Sequence, residues 1–132
     1  KVAHEGGPLL VRMNKARLLQ VLDNLVRNSV YWLRRAHASG KVTRAKAISI
    51  EIGDDSFTIA DSGPGIDPNY EDSLFDIFVT GKPKESGEGQ GLGLYIVKQL
   101  LAADGCDILL SGERNPEGNR YRFSVDLARV CQ

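Results

Sequence analysis

"SGEGQGLGLYIVKQLLAADG", residues 86–105, sets Gly87, Gly89, Gly91 and Gly93 on alternate positions ahead of an apolar, helix-like run that stops at Gly105. Glycine lacks Cβ, so its backbone N–H groups can approach a ligand closely, and the first N–H groups of a helix have no intrahelical partner. The combination is an anion site, for which phosphate is the natural occupant. Two familiar glycine motifs do not account for it. Counting G-x-G-x-x-G from Gly87 or Gly89 puts Leu92 or Leu94 where the last glycine belongs, which breaks the dinucleotide fingerprint. Gly81-Lys82 runs into Pro83 and has Asp76 at the first-glycine position, and Gly40-Lys41 is followed by Val42, so the phosphate-binding loop of G-x-x-x-x-G-K-[ST] type fails as well.

The rest of the chain narrows the choice. Its 132 residues suit one domain with a real core, and 17 Lys/Arg against 17 Asp/Glu cancel. With no basic block longer than a pair there is no electrostatic footprint for nucleic acid or an anionic membrane, so phosphate affinity has to be local. Cys106 and Cys131 lack C-x-x-C spacing and have only His4 and His37 to help them, which argues against zinc. Both thiols read as reduced, in a cytoplasmic setting. No apolar run has membrane-spanning length and no signal peptide is visible. The opening at Lys1 reads as a piece of a longer chain.

Residues 8–13, "PLLVRM", read as a short strand. From Asn14, an N-cap, "KARLLQVLDNLVRNSVYWLRRAHA" has no Gly or Pro and ends before Gly40. At helical spacing Leu18, Leu22, Leu25, Val26, Ser29, Val30 and Leu33 share one arc. Asn24 and Asn28 lie one turn apart at its border, beside Val21 and Trp32. "AISIEI" and "FTIAD" form a hairpin across Gly53-Asp54-Asp55, and the second strand ends in the turn "DSGPGI", residues 61–66. A short helix is expected around "YEDSLFDIF", then a polar stretch from Thr80 to Gly91, then a helix over 92–104. "CDILLSGE" and "RYRFSVDL" close the chain as strands around the turn "RNPEGN". This order fits an α+β fold, helices over one face of a mostly antiparallel sheet.

Four boxes now stand in order: "NLVRNS", "DSGPGI", "LFDIF" and "GQGLGL". In order and spacing, over roughly residues 14–128, they resemble the ATP-binding catalytic domain of sensor histidine kinases. The wider superfamily also holds gyrase B, mismatch-repair MutL proteins and heat-shock chaperone ATPases. The resemblance implies a two-layer α/β sandwich of Bergerat type, with a mixed, mostly antiparallel sheet of about five strands and about three helices on one face.

Residue chemistry agrees with what the resemblance implies. An ionised Asp61 only accepts hydrogen bonds, so it can take one from the exocyclic amine of adenine, where guanine would present a carbonyl. Gly63 and Gly65 let the turn pass close to the base, with Ile66 and Trp32 as apolar walls; Trp32 reads equally as plain core packing. Asn28 matches the family's Mg²⁺ ligand, an amide oxygen completing a shell of phosphate and water oxygens. Asn24, one turn earlier, matches the residue that helps with phosphates or metal waters. Gly89, Gly91 and Gly93, with Leu92 and Leu94 at the helix start, match the cradle of the triphosphate. Thr80 to Glu88 resembles the mobile ATP lid, from which Lys82 or Lys84 reaches a phosphate.

The superfamily divides at one position. Its hydrolysing branch carries a Glu as general base one turn before the metal Asn; here that residue is Asn24, whose amide takes no proton at neutral pH. This favours the kinase branch, in which the acceptor imidazole is itself the nucleophile. Tyr31 departs from the pattern, standing where many of these kinases have a basic residue. No phosphoacceptor helix pair is present, and Gly6-Gly7-Pro8 after His4-Glu5 would break the helix an acceptor needs. The implied partners are ATP or ADP, a phosphoacceptor histidine domain outside this chain, indirectly a response regulator, and a homodimeric parent that is cytoplasmic or the cytoplasmic part of a membrane sensor. Two other readings stay open: a clamp or chaperone-like ATPase, and an ATP-sensing module that transfers nothing.

Overall fold

The computed structural model describes residues 2–5, 8–76 and 93–132. Asn14 opens the first helix as expected: its side-chain oxygen accepts from the Arg17 N–H at 3.1 Å, and α1 runs Lys15–Ala38. Its buried stripe is Val21, Leu25, Ser29, Leu33 and Ala36. The stripe sits slightly round from the arc expected above. Val21 is fully buried, whereas Leu18, Leu22, Val26 and Val30 are half-buried shoulders. Asn24, Asn28 and Trp32 therefore each follow a residue of the stripe by three and lie half-buried along one edge of it.

The five-stranded sheet has the order β1-β2-β3-β5-β4. Strands β2, Ile48–Ile52, and β3, Ser56–Asp61, form the expected hairpin, closed by the Gly53 N–H on the Ser56 carbonyl at 2.8 Å. Strands β4, Asp107–Leu110, and β5, Arg122–Asp126, pair antiparallel, and β5 lies antiparallel to β3. The edge strand β1, Val2–Glu5, runs parallel to β2, with His4 opposite Ile50. The sequence reading missed this strand and put one at 8–13 instead. There Pro8 has no N–H to give, and the segment pairs with the chain's other end: Arg12 donates to the Val130 carbonyl at 2.7 Å, and Gln132 to that of Leu10 at 3.0 Å.

Helix α2, Gly93–Ala102, lies beside α1, and the Arg17 guanidinium of α1 reaches Asp104, in the turn just past the end of α2, at 2.7 Å. The helix expected around "YEDSLFDIF" is a 3₁₀ helix, Pro68–Ser73, with the Asp67 side chain accepting from the Asn69 N–H and Pro68 at the first position. Ile77 and Phe78 of that box lie outside the described residues. Among the described residues there are thus two α-helices and two short 3₁₀ turns, the second being Ala128–Val130.

The core lies between the helices and one sheet face. Val21, Leu25 and Leu33 of α1 and Val97 and Leu101 of α2 join Phe57 and Ile59 of β3, Ile108 of β4, and Phe123 and Val125 of β5. Period-two alternation sends Thr58, Leu109 and Ser124 to the other face, where Leu109 stays exposed. The same alternation puts Asp61 on the side of Phe57 and Ile59, facing the helices. No helix among the described residues is long and apolar enough to cross a membrane.

Candidate nucleotide-binding site

The Asp61 carboxylate leaves the end of β3 toward α1 and accepts the Gly63 N–H at 2.9 Å and the Ser29 hydroxyl. Burial is the largest influence on it and pushes its pKa above the ordinary value. The two hydrogen bonds and the nearby Arg44 charge oppose that shift and only partly offset it. A carboxylate has about four acceptor sites, so capacity remains for a further donor.

The turn after Asp61 is held on both sides. Ser62 accepts from the Ala47 N–H and donates to the Ala45 carbonyl, each at 2.8 Å, on the strand-entry side. On the other side Asn119 donates to the Pro64 carbonyl at 2.9 Å, and the Ile66 N–H reaches the Arg120 carbonyl at 2.8 Å. Arg44 lies across the turn, with its Nε on the Ser62 carbonyl and an Nη on the Gly63 carbonyl, both at 2.8 Å.

These contacts give the two glycines distinct reasons. A Cβ on Gly63 would stand 2.8 Å from the Asp61 carboxylate that its own N–H binds. Gly65 has φ +80°, and a Cβ there would meet Asn119, Asn115 and the Arg120 carbonyl at 2.7–2.9 Å. The atoms that exclude a side chain at Gly65 therefore belong to the β4–β5 connection, a constraint the sequence reading had assigned to the base.

On α1, the Nδ2 of Asn24 is buried with no hydrogen-bond partner among the described residues. A buried donor left unmade costs about 1–3 kcal/mol, so its position fits an oxygen-rich ligand. Asn28 makes no side-chain hydrogen bond among the described residues, which leaves its amide oxygen available to a hard cation. Trp32 meets Tyr31 edge-on, centroids 5.0 Å apart. The Tyr31 hydroxyl in turn faces Arg35 at 3.5 Å. Ile66 and Leu94 pack partly against the core, and Gly93 is exposed at the start of α2. Thr80, Lys82, Lys84, Gly89, Gly91 and Leu92 lie outside the described residues.

The structure thus brings the amide edge of α1 and the Asp61 turn together through Ser29. Sequence reasoning had Ser29 only as part of the apolar arc. A hydroxyl between Leu25 and Leu33 was the available signal for its role. Arg44, Asn115, Glu117 and Asn119 carried no local signal, because their contacts with the turn are fixed only by the fold.

The family model for histidine kinase-, DNA gyrase B- and HSP90-like ATPases matches residues 13–129. The chain belongs to this ATPase family. It is 35% identical over 122 residues to the sensor protein kinase PilS of Pseudomonas aeruginosa, a match covering 92% of this chain and 22% of PilS. Among solved structures, full-length ShkA in complex with AMPPNP superposes with a TM-score of 0.69 at 27% identity, covering all of this chain and 26% of ShkA. The mycobacterial sensor histidine kinase MprB, at 20% identity and a TM-score of 0.75, covers the whole chain and 82% of its own and shares the fold. The domain is similar to the ATPase portion of sensor kinases and spans about a fifth of the length of PilS.

The account of Gly65 can be checked in this ATPase domain against Gly118, which has φ +84° but open space where a Cβ would stand. Both alanine variants meet left-handed strain of about 1–2 kcal/mol. Urea unfolding is expected to show Gly65→Ala losing clearly more stability than Gly118→Ala. Equal losses would mean that the connection loop does not constrain the turn.

Proposed function

We propose that the domain binds ATP with Mg²⁺ and donates the γ-phosphate to a histidine on a separate helical domain of a longer sensor kinase. The observation that carries the reading is the Asp61 carboxylate, half-buried on the helix-facing side of β3 with acceptor capacity unused. An adenine amine reaching it satisfies that capacity, whereas a 6-carbonyl would bring two acceptors together. The family supplies the chemistry class, and Asn24 in place of a general base supports transfer to histidine over hydrolysis.

Each site residue then has a role. Asp61 reads the base, and Trp32 and Ile66 line it. Asn28 fits a Mg²⁺ ligand through its amide oxygen, and the orphaned Nδ2 of Asn24 fits a phosphate oxygen or a metal-bound water. Mg²⁺ held there would neutralise charge on the phosphate oxygens. The glycines at 89, 91 and 93 with the start of α2 would hold the triphosphate through N–H groups. An imidazole nitrogen from the acceptor domain attacks the γ-phosphorus in line, the bond to the β–γ bridging oxygen breaks, and ADP leaves. A non-transferring ATP sensor is the second reading, favoured by Tyr31 at a position where a cation is usual.

Calorimetry is expected to show ATP bound well above GTP, with Asp61→Asn losing about 2–4 kcal/mol of ATP affinity as a donor replaces an acceptor. Equal affinity for the two nucleotides would contradict the adenine assignment.

With labelled ATP, the isolated chain is expected neither to label itself nor to release phosphate beyond a trace. Adding the parent's acceptor helices is expected to yield an acid-labile, base-stable phosphohistidine. Brisk hydrolysis by the isolated chain would place it in the ATPase branch instead.

A further inference from the structure

The Arg44 guanidinium uses four of its five N–H donors at one place. Its Nε donates to the Ser62 carbonyl and one Nη to the Gly63 carbonyl, both at 2.8 Å. The two Nη groups also donate to the Glu117 carboxylate at 3.0 and 2.6 Å. One side chain therefore joins three segments distant in sequence: the entry to β2, the turn after β3, and the β4–β5 connection. As an ion pair it is a weak stabiliser, since the Arg44 and Glu117 side chains are 36% and 32% exposed and such pairs are screened by water. Its geometry is specific nonetheless. The fork grips the two carbonyls flanking the N–H that orients Asp61, and its charge lies close enough to favour the ionised carboxylate.

We infer that Arg44, seated by Glu117, is a positioning residue for base selection: it sets the Ser62-Gly63 backbone so that the Asp61 carboxylate faces the adenine amine. The inference rests on the adenine reading of Asp61. Lysine keeps the charge but offers a point donor on a flexible stem, so it cannot hold two carbonyls and a carboxylate in one plane.

The test compares ATP with inosine triphosphate, which carries a carbonyl in place of the 6-amine, in the wild type and in Arg44→Lys, Glu117→Gln and Asp61→Asn. Arg44→Lys is expected to lower ATP affinity about tenfold and inosine triphosphate affinity less than about twofold, so the preference falls about five- to tenfold. Glu117→Gln, which keeps the shape and one acceptor, is expected to lower the same preference about threefold. An unchanged preference in Arg44→Lys, or equal losses for both nucleotides, overturns the positioning role. If Arg44→Lys shows no cooperative melt, Glu117→Gln decides on the same ratio, and an unchanged ratio overturns the role. Asp61→Asn separates the two claims: if it leaves the preference intact, the adenine reading fails, and if it alone abolishes the preference, only the Arg44 role fails.

Discussion

A carboxylate facing the helix layer is the constraint around which this domain is arranged. Strand β3 alternates Phe57, Ile59 and Asp61 onto the face that α1 and α2 cover, so the last residue of an otherwise apolar series is an acid. Burial disfavours its charge, and the Gly63 N–H, the Ser29 hydroxyl and the Arg44 charge only partly restore it. Because the folded pKa lies above the unfolded one, the protonated form is the one folding favours. That contribution is fully present below the ordinary carboxylate value and is lost as pH rises through the folded value. At neutral pH the ionised Asp61 therefore works against stability, as polar groups at ligand sites commonly do.

The irregular backbone near Asp61 is fixed by its neighbours. Ser62 is tied to residues 45 and 47, Pro64 and Ile66 to residues 119 and 120, and Arg44 crosses between the two sides. The 3₁₀ helix that follows is drawn to the same connection, with Glu71 facing Arg114 at 3.7 Å and Arg120 at 3.6 Å. The β4–β5 connection, which reads in sequence as an ordinary turn, thus buttresses both the Asp61 turn and the element leading out of it. Binding residues on a loop can be placed accurately when a rigid scaffold holds the loop from both sides.

What was legible in the sequence was what depends on local order. The β2–β3 hairpin, the Asn14 cap, the long first helix and the alternation of β5 follow from period and turn chemistry, and the structure repeats them. Asp61, Asn24 and Asn28 were legible as candidates because polar residues at the ends or edges of apolar elements are conspicuous. Strand β1 was not, since "VAHE" has little pattern of its own and becomes a strand by pairing with β2 more than forty residues later. The extended segment at 8–13 has strand composition but finds its partners at 130–132. The partnership of Arg44 with Glu117 spans 73 residues and exists only once the sheet has formed.

The central claim is that Asp61 is a half-buried acceptor completed by adenine. Carboxyl carbon NMR of the domain, titrated free and with saturating ADP, addresses it directly. The account predicts that Asp61 titrates above an ordinary carboxylate in the free domain and moves downward when ADP supplies a donor to its ionised form. An Asp61 that titrates like a surface carboxylate and is indifferent to ADP would contradict it.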